Sequence, residues 1–162
     1  MHISAILQLM ALLILANGAP VIAKKIFGSR FAIPLDMGLT FFDGRPLFGP
    51  SKTCRGIVVA LLAGAAGAPL IGLGFKIGLT VAAAAMAGDL FSSFVKRRLN
   101  LPPSSQGLGL DQIPESLFPL LACRAALSLT PVDILLGVCI FFAGELVLSR
   151  VLFRARLRDE PY

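Results

Sequence analysis

The sequence contains no tryptophan, one tyrosine and one histidine. Proteins that hold single-stranded nucleic acid stack its bases on aromatic rings, so little here suggests a nucleic-acid partner for the net charge of +6. His2, the single histidine, has no companion for a Ser–His relay. The three cysteines, Cys54, Cys123 and Cys139, form no CxxC pair. Cys123 and Cys139 read as small apolar helix residues, and Cys54 sits in a basic loop. Charged residues make up 15% of the chain, against about 25% in soluble proteins. No GxxxxGK[ST] loop is present, which removes the Walker-type phosphate cradle.

What the chain has in excess is apolar side chains, at 56%, where soluble domains carry about 45–50%. They fall into long blocks, the pattern of a membrane protein. Spans are read over 3–23, 57–75, 77–94, 114–129 and 132–152, giving an all-α integral membrane protein of about five transmembrane helices in a single domain. Residues 3–23 carry no charge, and the lysines follow this run instead of preceding it, so it reads as a spanning helix and not a secretory leader. The second and third blocks are rich in Gly and Ala, which lets helices approach closely in lipid. Pro119 is expected to kink the fourth.

Thirteen of the 15 Lys and Arg lie after block one, after block three, or at and beyond the end of block five. With the N-terminus outside, five spans bring all three groups to the cytoplasmic side of the cell membrane, as the positive-inside rule requires. Phosphates and anionic headgroups are the partners that cations in this arrangement fit.

Two polar loops, at about 24–56 and 96–113, carry the chemistry. The first contains Asp43-Gly44-Arg45-Pro46-Leu47-Phe48-Gly49-Pro50-Ser51-Lys52-Thr53-Cys54-Arg55-Gly56. Arg45, Lys52 and Arg55 are candidates to hold phosphate oxygens, with Ser51 and Thr53 as hydroxyl donors. A helix starting near Arg55 adds a terminus that favours anions. The bland alternative is that these cations serve topology alone. The second segment runs from Gly88 to Arg98. At about 100° per residue, Asp89, Ser93, Lys96 and Arg97 share one helix face, and Arg98 falls on the far side, where it would meet headgroups. A carboxylate at Asp89, near the membrane face, is costly unless paired or metal-bound. Asp111 either caps the fourth helix or converges with Asp89 on Mg²⁺, which prefers a few carboxylates plus substrate phosphates. Arg124 and Glu145, inside apolar blocks, are expected to form a structural ion pair.

The runs at 43–56 and 88–101, with Leu110-Asp111-Gln112, resemble the CDP-archaeol synthase family, a short branch of the CTP-dependent cytidylyltransferases that includes CDP-diacylglycerol synthases. Ser93, Lys96 and Arg97 match the S-x-x-K-R part of the longer enzymes' signature, and Asp111 matches its later Asp. The signature's Lys-Asp pair and His are absent, and Gln112 stands where it has Arg. The resemblance implies that CTP and a phosphorylated lipid, phosphatidic acid or an archaeal-type ether analogue, give CDP-lipid and pyrophosphate. It implies Mg²⁺ at Asp89 and Asp111, Asp89, Lys96 and Asp111 as catalytic, and Asp43, Arg45, Ser51, Lys52, Thr53, Arg55, Ser93, Arg97 and Gln112 as nucleotide- or phosphate-binding. A CTP-dependent lipid kinase would use a similar site. A small transporter or scaffold is the non-enzymatic alternative, and homodimerisation stays open.

The charge pattern makes a testable statement about topology. A reporter fused after Tyr162 is expected to read cytoplasmic, and an external signal there would break the five-span reading.

Overall fold

A computed structural model describes residues 2–102, 105, 107 and 109–154. The tail with Arg156, Arg158, Asp159 and Glu160 lies outside the described residues. Five helices follow in order: α1 (Ile3–Phe27), α2 (Cys54–Leu70), α3 (Phe75–Arg98), α4 (Gln112–Ala122) and α5 (Pro131–Arg154). The described residues form no strand, only isolated bridges in the loop between α1 and α2. Among them, α1 and α3 are each long and apolar enough to cross a bilayer. The protein is an all-helical membrane protein.

α3 is the central element, touching α1, α2 and α4. Its contact with α2 depends on missing side chains. A Cβ on Gly64 would lie 2.6 Å from the Gly78 carbonyl oxygen, and a Cβ on Gly78 would overlap the Gly64 carbonyl. Lipid gives helices no hydrophobic drive to associate, so such close backbone packing is the main source of cohesion. Gly88 repeats the device one helix over, where a Cβ would strike Pro114 and Glu115 of α4. The aliphatic core, including Ile6, Leu9, Leu13, Val81 and Leu120, fills the space between these seams.

Helix limits depart from the apolar blocks where caps and turns intervene. α2 begins at Cys54 because Thr53 Oγ1 accepts from Gly56 N at 3.2 Å, a side-chain N-cap. α4 runs on through Pro119 and ends at Ala122; the chain continues as turns to Ser128. Its 11 helical residues span about 17 Å at about 1.5 Å each, short of the ~30 Å hydrocarbon core. The Thr130-Pro131 turn opens α5 as a capping box: Thr130 N donates to Asp133 Oδ2 and Asp133 N donates to Thr130 Oγ1. The buried Asp133 also receives His2 N and pairs with the His2 ring, each at 3.0 Å. This latch joins α1 to α5 at the end of the bundle away from the two polar loops, and sequence reading passed over Asp133. Cys123 is buried and Cys139 exposed, both within or beside apolar helix.

Gly78→Ala is expected to lower the unfolding midpoint in detergent, since overpacking costs about 1–3 kcal/mol. Gly144→Ala serves as the comparison. Nothing lies within 4 Å of its added methyl, so it should leave the midpoint unchanged or slightly raised. Equal midpoints for the two would refute the close-packing account of the seam.

Candidate functional site

The loop between α1 and α2 has an unusual organiser for a membrane protein, a buried carboxylate. Asp36 Oδ2 accepts from Phe48 N at 3.0 Å and Gly49 N at 2.8 Å, and Oδ1 accepts from Gly38 N at 3.2 Å. Burial pushes this carboxyl up, but the N–H groups of Gly49, Phe48 and Gly38 outweigh burial and hold it below its ordinary value. Gly49 has φ +92° and lies beside Arg97; the left-handed backbone there suits glycine alone at little strain. Leu35 N donates to Lys52 O at 2.7 Å, closing the loop back on itself.

So held, the loop delivers Lys52 to α3, where its Nζ donates to both Asp89 oxygens at 2.6 Å. A second ion pair forms within the following segment: Lys96 Nζ lies 2.7 Å from Asp111 Oδ1 and donates to Ser105 O. Asp111 stands at the N-cap position of α4, yet its side chain makes no cap bond to the helix. It accepts from Gly107 N instead, at 3.0 Å. The reading of Asp111 as a helix cap is therefore replaced by a carboxylate facing Lys96. Gln112, buried, accepts from Gly109 N. Ser93, Lys96 and Arg97 are all buried on the face of α3 that carries Asp89.

Arg97 borders an open cleft of about 280 Å³ lined also by Arg45, Pro46, Asn100, Leu101 and Pro102. Its Nη2 donates to Pro102 O, while its buried Nε has no hydrogen-bond partner among the described residues. A buried guanidinium donor left open beside a cleft is suited to an anion.

The other candidates make contacts within the protein. Arg45 Nη1 donates to the carbonyls of Arg97 and Arg98, closing the C-terminus of α3, where a cation is favoured. Asp43 Oδ2 pairs with Arg98 Nε at 3.0 Å, and Arg98 Nη2 donates to the carbonyls of Arg45 and Pro46. Arg98 was expected to face headgroups; it is a clamp between the loop and α3, because its long stem reaches the loop's carbonyls. Arg55 donates to the carbonyls of Gly28 and Arg30, just past the end of α1. Thr53 caps α2, and Ser51 is exposed.

Glu115 was left without a role by the sequence. It is buried against Gly88 and within electrostatic reach of Asp89, Glu145, Lys52 and Asp111. The signal for it was present: four residues after Asp111, it shares that residue's helix face. The expected Arg124–Glu145 pair is corrected by position. Glu145 lies within electrostatic reach of Glu115 at the start of α4, whereas Arg124 is exposed beyond that helix's other end.

Among the described residues, no three His, Cys, Asp or Glu side chains make a ready metal cage. Carboxylates of the Asp89 and Asp111 kind, each already beside a lysine, fit a divalent cation that arrives with phosphates, since such an ion keeps only one or two protein carboxylates.

A sequence profile of a family described as CarS-like, CDP-archaeol synthase, matches residues 3–77 and 68–162. A CDP-archaeol synthase of Pyrococcus furiosus is 42% identical over 107 residues, which cover 60% of this chain and 60% of that protein. One from Pyrobaculum islandicum is 31% identical over 156 residues, covering 91% of each. A solved structure, described as an intramembrane enzyme for archaeal membrane lipids biosynthesis, superposes with a TM-score of 0.76 at 30% identity, covering 88% of this chain and 90% of that one.

Asp36 generates a prediction with a definite sign in pH. Its depressed value means the folded loop gains stability above the ordinary carboxylate range near 3.9 and loses it as pH falls through the lower folded value. Asp36→Asn is expected to weaken protection of the loop amides from hydrogen exchange at neutral pH by about 1.5–3 kcal/mol, the scale of a bond to a charged acceptor. The variant should also lack the parent's further loss of protection in acid. Equal protection in the two proteins would remove Asp36 as the loop's organiser.

Proposed function

The chain belongs to the CDP-archaeol synthase family, and on that basis we propose that it transfers the cytidylyl group of CTP to a phosphorylated membrane lipid of the dialkyl ether type. The products are CDP-lipid and pyrophosphate. The observation that carries the reading beyond family membership is the pair of lysine–aspartate contacts, Lys52–Asp89 and Lys96–Asp111, with the open Nε of Arg97 next to Lys96 in α3.

An oxygen of the lipid phosphate bonds to the α-phosphorus of CTP. The bond from that phosphorus to the bridging oxygen of the β-phosphate breaks, and pyrophosphate leaves with the electron pair. The nucleophile is already ionised near neutral pH, so no strong general base is required. What the site must supply is alignment and neutralisation of charge. Lys52 and Lys96 are placed to exchange aspartate for phosphate oxygens, and Arg97 to donate from its open Nε. Ser93 and Gln112 border the same face. Asp43, Arg45, Thr53 and Arg55 support the reading from one step back, by fixing the loop and the ends of α1, α2 and α3 around the nucleotide. Asp89 and Asp111 would hold Mg²⁺, with Glu115 adding negative charge behind them. The ion, when bound, neutralises the triphosphate and polarises the phosphorus under attack. The loops face the cytoplasm of the cell membrane in this reading, with the N-terminus outside, which gives CTP access from its own compartment.

The test is purified protein with radiolabelled CTP, Mg²⁺ and either dialkyl or diacyl phosphatidic acid. Label is expected in the lipid phase with release of pyrophosphate, and faster with the dialkyl acceptor. Release of CDP instead would make the protein a lipid kinase. Asp89→Asn and Asp111→Asn should abolish turnover in folded, inserted protein. Lys52→Ala should reduce it roughly ten- to a hundred-fold, the loss of one charge-assisted bond of about 1.5–3 kcal/mol. Arg55→Ala, whose partners are carbonyls near the end of α1, should cost much less. Full activity of Asp111→Asn would sink the assigned site.

A further inference from the structure

The exposed stripe of α3 runs through Thr80, Ala83, Ala87 and Phe91 at helical spacing. It lies opposite the face of Asp89, since Phe91 is about 200° further round the helix. In a membrane helix an exposed stripe of this kind faces acyl chains. Continued toward the loop end, the same stripe passes Phe94 and Arg98, which are only half covered. What covers them is the turn of the loop between α1 and α2. Phe41 packs edge-on against the Phe94 ring, centroids 5.3 Å apart, and the Arg98 guanidinium lies 5.0 Å from the Phe41 ring and 4.8 Å from that of Phe94. The turn is closed by Phe41 N donating to Arg45 O and Leu47 N to Leu39 O.

At its tip stands Phe42, fully exposed at 100%, with Met37 at 77% and Leu39 at 63% nearby in the chain. Phe94 is one helical turn, about 4.5 Å, beyond the lipid-facing Phe91. The exposed Phe42 ring lies 5.0 Å from the Phe41 ring, which itself packs on Phe94, so it extends the apolar surface outward from that end of the stripe. Contiguous apolar exposure of this kind marks an interaction surface. Aromatic rings concentrate where acyl chains meet headgroups, a place usually taken by Trp and Tyr. This chain has no Trp and one Tyr.

We propose that the turn from Leu39 to Leu47 is a membrane foot: it rests on the lipid-facing stripe of α3 with Phe42 inserted into the leaflet on the loop side of the bilayer. The occupant of the apolar tip is the lipid surface itself, not a second protein. The same turn is clamped by Arg98 to Asp43 and to the carbonyls of Arg45 and Pro46. It therefore ties the depth of the loop in the membrane to the end of α3, and through the loop to Lys52. The inference is independent of the reaction proposed above.

The absence of tryptophan makes a clean experiment possible. Phe42→Trp puts a single fluorophore at an exposed position where it displaces no packed neighbour. The full chain is reconstituted in phosphatidylcholine–phosphatidylglycerol vesicles, some carrying brominated acyl chains. Expected are emission shifted to the blue of aqueous tryptophan, strong quenching by bromolipid, and little quenching by iodide. Bromine placed near the headgroup should quench more than bromine deep in the chain. Emission at the aqueous position, with iodide quenching and no bromolipid effect, would overturn the proposal. So would a ring shielded from both quenchers, which would mean that protein covers it. Leu79→Trp, on an exposed stretch of α3, reports whether the vesicles hold inserted protein, and its quenching by deep bromine is required for either reading of Phe42.

Discussion

The contact on which the site depends is the one between Lys52 and Asp89. A carboxylate near the membrane end of α3 cannot stand alone, because an unpaired charge there is expensive. The cation that answers it comes not from a neighbouring helix but from a loop, at 2.6 Å to both oxygens. The loop must therefore be as well ordered as the bundle. That requirement accounts for the buried Asp36, which gathers three backbone N–H groups. It also accounts for the Arg45 and Arg98 clamp on the end of α3 and for the Thr53 cap that starts α2 immediately after the lysine. Both partners are half-buried, so each charge is partly screened from water and leans on the other. The proposed reaction would draw on this pair by giving the lysine to a phosphate and the aspartate to a cation.

The second lysine–aspartate pair repeats the logic with a shorter chain path. Lys96 and Asp111 belong to consecutive segments, and Ser105 O and Gly107 N contribute to the same junction. Gly88 lets α4 approach α3 closely, which brings Glu115 up to both aspartates. Three acidic groups and the cations around them are thus assembled from two helices and two loops, at one end of the bundle, while the interior between the helices stays aliphatic.

The bundle was largely legible from the residues. Apolar blocks separated by cation clusters gave five helices, since block length and charge position are single-segment properties. The common face of Asp89, Ser93, Lys96 and Arg97 followed from helical spacing alone, and these residues are indeed together, three of them buried. What could not be read was which partner each of several like-charged side chains would meet. Arg45, Lys52 and Arg55 look alike in sequence; only the folded loop sends Lys52 to Asp89, Arg45 to the end of α3 and Arg55 to the end of α1. Asp36 escaped notice because its role is to bind backbone from residues up to 13 positions away, and Glu115 because its importance comes from the neighbouring helix. Arg124 and Glu145 misled for the opposite reason: their charges match, but α4 is too short and too turned at its end to bring them level.

The latch between His2 and Asp133 has a wider consequence. A residue just before the first turn of a helix often makes only local contacts. Here its backbone N–H and its ring both hold the first turn of the last helix. Among the described residues, His2 therefore holds the first turn of α1 and the first turn of α5 together.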